Sequence, residues 1–517
     1  MNSSRSVAAA WLLSGRTTVG RSFRLHRPRG AFCHSGWCQQ CKVKGPDGRV
    51  VLACNIAQTE GVALPRDWQP LRAVGKLAER WPPWFYEHHA VGPGPFRQIY
   101  LETMRRLSSA PRLSGSGVNA ARAGTQETRC DTLVVGGGVS GLSAAIALSE
   151  SGRRVVLVEA GELGGSAGRR CRVDGALEAQ IAMARVSASC MEATLCVGLY
   201  ENSTKALCVG RSGNTVVKFQ ELVVATGAYD RLPTVVGNDL PGIVGMRAFE
   251  RLAASASISS ETRIGVYGAA IEVTRAIQAA ALAKLKVEFA AGPGELPDTD
   301  ARRFARTQLV AVRGKSAVQG VEIASGAQLD CELLVVGFSQ PSYELQAQNG
   351  AVIDLVGELP IVWPDKTGHA RMLAVGEAAG WFESSKQSER TRRLVTQWLA
   401  GDVVDDAVTV LTDGSRVVSP QDGAFLCLCE DVYVRDVKQA IADGYRDIEL
   451  IKRHTGAGTG PCQGKLCHGA LLSCCAEAGL DVRIPTPRPL TRPVSIATLA
   501  GAAPAVNNPS DGVKEQA

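Results

Sequence analysis

Residues 131–160 constrain this chain more than any other stretch. An apolar run, Leu133 to Val135, enters Gly136-Gly137-Gly138-Val139-Ser140-Gly141; a helix-forming segment follows, and a second apolar run ends at Glu159. This is G-x-G-x-x-G between two strands, with a carboxylate 23 positions beyond the first glycine. Gly136 allows the tight turn, Gly138 lets backbone approach a pyrophosphate, and Gly141 lets helix and strand pack closely. The helix N-terminus faces the phosphates, and Glu159 can accept from the ribose hydroxyls. Three glycines alone are a weak signal, but strand, helix, strand and acid in this order specify a dinucleotide site in an α/β fold.

Leu222 to Tyr229 reads as a buried strand closing on Thr226-Gly227, and Leu373 to Gly380 as another, ending in Gly376-Glu377 at the start of a helix. Between them lies a second unit: Thr262 to Tyr267, then Gly268-Ala269-Ala270-Ile271-Glu272, a helix to about Ala283, and Lys286 to Phe289. Here Ala270 replaces the second glycine and puts a methyl group where a pyrophosphate would approach, so NAD(P) binding by this unit is left open.

At roughly 150 residues per domain, 517 residues predict about three domains. A 45% hydrophobic and 21% charged composition excludes a disordered or fibrous chain. The +7 net charge is spread out apart from short Arg clusters, so no nucleic-acid partner is expected. Thr132 to Ser149 is uncharged and of transmembrane length, but its three consecutive glycines read as strand, turn and helix, and no membrane span is predicted. The first 46 residues hold several Arg and Ser and no acid, the composition of a mitochondrial transit peptide. Ser6 to Gly15 reads instead as a short helix feeding a cysteine site, and a cytoplasmic location is expected. Eight of the 16 cysteines form two tight groups near opposite ends of the chain. In a long chain with no secretory signal peptide, metal or cluster ligation explains them better than disulfides.

Cys33, Cys38 and Cys41 follow C-x4-C-x2-C, with Cys54 after 12 further residues. Plant-type [2Fe–2S] ferredoxins use this spacing. A loop wraps one face of the cluster with three thiolates, and a returning strand, Arg49 to Ala53, supplies the fourth. Gly36 lets backbone amides point at the sulfides. Zinc is the competing reading. The second group is Cys427-x-Cys429, 32 residues, then Cys462-x4-Cys467. Between them Val432 to Asp443 has helical apolar spacing, and Lys452, Arg453 and Gly456 lead into a Gly-rich turn. Local amides and cations there suit a second [2Fe–2S] cluster, zinc again competing. Cys474 and Cys475 read as packing residues.

The module order, with the stretches 22–33, 82–89, 333–351 and 451–467, resembles the FAD/[2Fe–2S] α subunits of amine- and imino-acid-oxidising complexes over about residues 6–480. This set includes the corresponding subunit of opine oxidase, the large subunits of hydrogen cyanide synthase and dye-linked proline dehydrogenases, and the front half of heterotetrameric sarcosine oxidase α. The resemblance implies a two-dinucleotide-binding, Rossmann-like flavoprotein core with an N-terminal ferredoxin-like module and a C-terminal small helical [2Fe–2S] module. It places FAD on Gly136, Gly138, Gly141 and Glu159. Thr226 and Gly227 fall in an ATG element, and Gly376-Glu377 stands where the family has Gly-Asp, whose acid meets the flavin's ribityl chain. The implied cluster ligands are Cys33, Cys38, Cys41 and Cys54, and Cys427, Cys429, Cys462 and Cys467. It also implies a partner β subunit with its own FAD, which oxidises the amine. Two departures stand out: the family's ferredoxin module starts with a β-hairpin, whereas this chain begins almost at the helix, and the aminomethyltransferase-like half of sarcosine α is absent.

The expected organisation is a ferredoxin-like module at 1–60, a connector at 61–128 with a helix over 96–107, and a two-dinucleotide core at 129–410. Its second unit lies at about 258–340. A cluster module at 420–480 and a mobile tail at 481–517 complete the chain. No catalytic triad, HExxH or paired-carboxylate constellation presents itself, so the chemistry belongs to cofactors. The expected role is electron transfer, a flavin standing between two one-electron centres, for a complex acting on an opine, proline, hydroxyproline, glycine or sarcosine. The alternatives are an NAD(P)H-dependent flavin/iron–sulfur reductase and a non-catalytic assembly subunit.

Overall fold

Short runs of Val, Leu and Ile, apolar without alternation, build two five-stranded parallel sheets, because strands covered on both faces need no polar side. A computed structural model describes residues 5–22, 24–44, 50–58, 102, 125–170, 175–210, 213–356, 359–362, 369–382, 386–402 and 419–499. The first sheet runs in the order Arg371–Ala374, Glu221–Val224, Thr132–Val135, Val155–Val158, Ser189–Met191. Helix Val139–Glu150 leaves Thr132–Val135 and packs against Gln387–Ala400. Leu133, Leu142, Leu148, Leu157 and Leu222 are fully buried there, each worth roughly 1.5–3 kcal/mol relative to exposure. The second sheet has the order Ile243–Gly245, Leu333–Gly337, Ile264–Gly268, Val287–Ala291, Arg302–Phe304.

The strand expected over 222–229 is broken. Glu221–Val224 belongs to the first sheet, the chain turns at Ala225-Thr226-Gly227, where Gly227 has φ +75°, and Ala228–Asp230 pairs with Ser339–Pro341 instead. Likewise Arg371–Ala374 ends in a single 3-10 turn, Gly376–Ala379, not in the expected helix.

The N-terminal module starts with helix Val7–Leu13, capped by the Ser6 side chain. Two hairpins follow it, Thr18–Arg21 with Pro28–Gly30 and Lys42–Lys44 with Val50–Leu52. The helix closes on the returning loop through Val7 N to Ile56 O and Ala8 N to Ala53 O. The C-terminal module is helical (Val434–Ala442, Ile448–Thr455, His468–Glu477) but also carries a small hairpin, Phe425–Cys427 with Val432–Tyr433. The tail expected to be mobile from 481 is placed as far as 499: Thr491 N donates to Val197 O at 2.7 Å, and Lys465 Nζ donates to Thr491 O at 2.8 Å. The connector helix expected at 96–107 lies, except for Glu102, outside the described residues.

The two end modules meet. Arg27 Nε pairs with Asp431 Oδ1 at 2.6 Å, both side chains buried, and Leu25 N donates to Asp431 Oδ2 at 3.1 Å. Arg29 Nη2 donates to the Cys429 carbonyl at 2.9 Å. Among the described residues no helix is long and apolar enough to cross a membrane.

Candidate functional site

A cavity of about 390 Å³ opens at the C-terminal ends of the first sheet, where ligands of such sheets bind. Gly136, Gly138, Glu159, Thr226, Gly227 and Glu377 line it. Gly136 has φ +107°, and a β-carbon there would run into the Ala225 carbonyl. A β-carbon on Gly141 would collide with the Gly136 carbonyl, so Gly141 sets the helix against the turn without lining the cavity. Gly138 differs: a β-carbon there meets no protein atom within 4 Å. Packing leaves its space free, as a cradle for a phosphate requires. It is also the N-cap of Val139–Glu150, with no side chain capping the helix amides. Gly376, at φ +65°, packs its turn against Ser140. The residues therefore fit a dinucleotide.

Glu159 already accepts from Gly137 N through Oε2 and from Gly161 N through Oε1, both at 2.7 Å. A carboxylate offers about four acceptor positions, so capacity remains for ribose hydroxyls. Glu377 reaches the cavity wall with its carboxylate engaged by Arg247 Nη2 at 2.7 Å and Arg275 Nη1 at 3.2 Å. Arg247 also pairs with Asp230 at 2.8 Å, and Arg275 with Glu250 at 3.0 Å and Glu272 at 3.1 Å. This network is buried. Desolvation pushes the Asp230 carboxyl up to about 6 against the pull of Arg247. Burial opposes the charge on both arginines, yet their carboxylate neighbours hold each guanidinium above its ordinary range. The sequence reading missed Arg247, Arg251 and Arg492, which line the cavity from no recognisable motif. Arg247 and Arg251 share helix Met246–Ala254 and Arg492 lies in an irregular segment, so no common spacing announces them.

In the second unit the helix begins at Ala270, behind an Ala269 N-cap. Val273, fully buried, stands where the third glycine would be. Buried Glu272 occupies the first helical turn, its carboxylate paired with Arg275 and accepting from Ser339.

Cys33, Cys38, Cys41 and Cys54 are brought together, all buried. The Cys33 sulfur contacts those of Cys38 and Cys54, and Cys54 contacts Cys41. Ser35 N at 3.5 Å and Cys38 N at 3.4 Å point at the Cys33 sulfur. Left-handed backbone at His34, Gly36 and Gln39 turns the loop inward, and Gly36 also makes room for Asn55. Cys427, Cys429, Cys462 and Cys467 converge likewise: Cys427 contacts Cys429 and Cys467, and Cys429 contacts Cys462. Gly460 is needed because a β-carbon there would strike Cys429. Among the described residues no three His, Cys, Asp or Glu side chains gather around one point suited to a single ion. Each set forms a continuous run of sulfur contacts, Cys38–Cys33–Cys54–Cys41 and Cys467–Cys427–Cys429–Cys462. Cys474 and Cys475 pack in the core of the C-terminal module.

The cavity does not stand between the two groups. His34, Ser35 and Trp37 of the first group line it, and no residue from 425 to 467 does. Trp37 lies 5.0 Å from Tyr229, another lining residue. The second group adjoins the first: Gln40 Nε2 donates to the Cys429 sulfur at 3.4 Å.

Comparison with known proteins gives three family matches: a 2Fe-2S iron-sulfur cluster binding domain over residues 2–67, a pyridine nucleotide-disulphide oxidoreductase over 130–390, and a sarcosine oxidase A3 domain over 421–502. The chain belongs to the pyridine nucleotide-disulphide oxidoreductase family. Among its relatives, the alpha subunit of sarcosine oxidase from Rhizobium meliloti (strain 1021) is 24% identical over 96% of this chain and 56% of that protein. An opine oxidase subunit of the same organism is 32% identical over 16% of this chain and 19% of its own length. The chain spans about half the length of the sarcosine oxidase subunits it matches. In fold it is similar to an L-proline dehydrogenase from P. horikoshii, with a TM-score of 0.67 at 16% identity, covering 96% of this chain and 94% of that one. The matches thus give a flavoprotein-type core preceded by a 2Fe-2S domain.

Proposed function

We propose that this chain is the FAD- and [2Fe–2S]-containing electron-transferring subunit of an amine or amino-acid dehydrogenase or oxidase. A partner subunit with its own flavin oxidises the C–N bond of a secondary amine or amino acid of opine, proline, hydroxyproline, glycine or sarcosine type. The observation that carries this reading is the seam between the dinucleotide cavity and the first cysteine group, where His34, Ser35 and Trp37 form part of the cavity wall. Gly138 and the amides opening Val139–Glu150 hold the pyrophosphate, Glu159 accepts from the ribose, and Arg247 keeps Glu377 against the cavity. The two cysteine sets hold one [2Fe–2S] centre each. When bound, the flavin takes up electrons in pairs and the iron–sulfur centres carry them singly.

The second unit supports this division of labour over the NAD(P)H reductase reading. Ala270 puts a methyl group where a pyrophosphate would approach, and the buried Glu272 adds a carboxylate to the same helical turn. Thiolate ligation by the eight grouped cysteines suits a reducing, cytoplasmic compartment. The test is FAD and iron analysis of the purified chain, followed by anaerobic visible spectroscopy. NADH should leave the oxidised bands unchanged, and the correct amine should bleach them only with the partner present. Bleaching by NADH alone would favour the reductase, and a chain empty of both flavin and iron would favour an assembly role.

A further inference from the structure

We propose that Gln40 couples the two cysteine groups and sets the reduction potential of the C-terminal one. The inference rests on the two-centre reading above and adds a residue that no spacing motif contains. Gln40 lies between Cys38 and Cys41 and is 3% exposed. Its amide nitrogen donates to the Cys38 carbonyl at 3.2 Å and to the Cys429 sulfur at 3.4 Å. A carbonyl only accepts, so the nitrogen end of the amide must face the seam, and both its protons are used. One side chain thus joins the backbone of a residue in the first group to a sulfur of the second.

The surroundings hold Gln40 in place. The buried Arg27–Asp431 pair clamps the modules from one side, and Arg29 grips the Cys429 carbonyl. Cys429 is the one thiol of its group that is partly exposed, so the bond forms where that group would otherwise meet water. Hydrogen bonds to ligand sulfurs and solvent exposure are two of the properties that set iron–sulfur potentials. A donor N–H stabilises the more negative, reduced state and raises the potential. The Gln40 side chain donates to the Cys38 carbonyl and the Cys429 sulfur; toward the first group's sulfurs only its backbone N–H acts, on Cys38, and a side-chain substitution leaves that bond in place. The effect of its side chain therefore falls on one centre: it raises the potential of the C-terminal centre and biases electrons arriving from the cavity side toward it.

The test is an anaerobic redox titration of the full chain followed by EPR. The wild-type chain should hold four irons in two signals, each with its own midpoint, and the signals should broaden each other when both centres are reduced. Cys462→Ser identifies the C-terminal signal by altering it. Gln40→Leu keeps the volume and removes both donors. The C-terminal midpoint should then fall enough to change electron sharing between the centres about tenfold, ~59 mV for a one-electron couple, while the N-terminal midpoint stays. Gln40→Glu at pH 8, near-isosteric but without a donor, should shift the same midpoint the same way and decides the matter if the leucine variant loads iron poorly. Four irons with unchanged midpoints in these variants would overturn the role of Gln40 alone. Fewer than four irons in the wild-type chain would overturn the two-centre reading itself, and this proposal with it.

Discussion

The two βαβ units share one scaffold and differ at the start of their helices. Both turn on a glycine that the backbone demands: a β-carbon at Gly136 would meet the Ala225 carbonyl, and one at Gly268 would meet the Gly337 carbonyl at 2.5 Å. The units part after that. Gly138 keeps open space and Gly141 close packing, whereas Ala270 and Val273 fill the equivalent positions and Glu272 turns into a buried ion network. The first glycine thus belongs to the fold, and the second to the ligand. A unit can lose its ligand glycine and persist, provided its helix keeps another task. Here that task is to hold Arg275 against Glu250, Glu272 and Glu377, on the wall of the other unit's cavity.

Removing that arginine should have the largest effect. Arg275→Met leaves buried Glu250 and Glu272 without their shared cation, and losing one partner of such a pair costs about 3–5 kcal/mol. Denaturant unfolding should show a loss in this range, accompanied by weaker flavin retention because Glu377 is also released. A loss below about 1 kcal/mol would break the claim that the second unit now serves a structural purpose.

The paired substitutions Gly138→Ala and Ala270→Gly sharpen the comparison. At Gly138 the added methyl meets no protein atom, so the apo chain should unfold at an unchanged denaturant midpoint. Flavin affinity should nevertheless fall by about tenfold or more, equivalent to 1.4 kcal/mol, by equilibrium dialysis. Ala270→Gly restores the second glycine but leaves Glu272 and Val273, so NADH should still fail to bleach the flavin. NADH reduction of the glycine variant would show that a single methyl group had closed the site.

The parts legible from sequence were those written in short spacings. The strand runs, the G-x-G-x-x-G turn and both cysteine groups depend on neighbours within one element or loop, and the structure brings each set together. What could not be read depends on distant partners. Gln40 and Cys429 are separated by 389 positions, and Arg247 and Glu377 by 130. Neither arginine of the network sits in a motif, because any buried cation on a short helix satisfies the same local pattern. The return of Thr491 to Val197 was hidden for another reason: a Pro- and Ala-rich segment has no periodicity to announce a docking edge.

The smallest expected effect concerns how each unit ties its first strand to a neighbour. In the first unit Asp131 receives Arg154 Nη2 at 2.6 Å and the Arg154 backbone N–H at 2.9 Å, joining the starts of Thr132–Val135 and Val155–Val158. These bonds hold its carboxyl at about 2, below the ordinary 3.8. A depressed carboxylate stabilises the fold above its unfolded pKa and loses that contribution as pH falls toward the folded value. Asp131→Asn should therefore lower the melting temperature slightly at pH 7, and its gap from the wild type should close between about pH 4 and 2. In the second unit the corresponding contact is looser: Arg263 Nη2 stands 3.4 Å from Glu332, on side chains that are 48% and 52% exposed. Both pairs are screened by solvent, but Glu332→Gln should produce a smaller gap than Asp131→Asn at pH 7, since its pair is longer and its carboxylate more exposed than that of Asp131. Equal gaps would mean that strand anchoring does not distinguish the two units, and that their difference lies entirely at the helix starts.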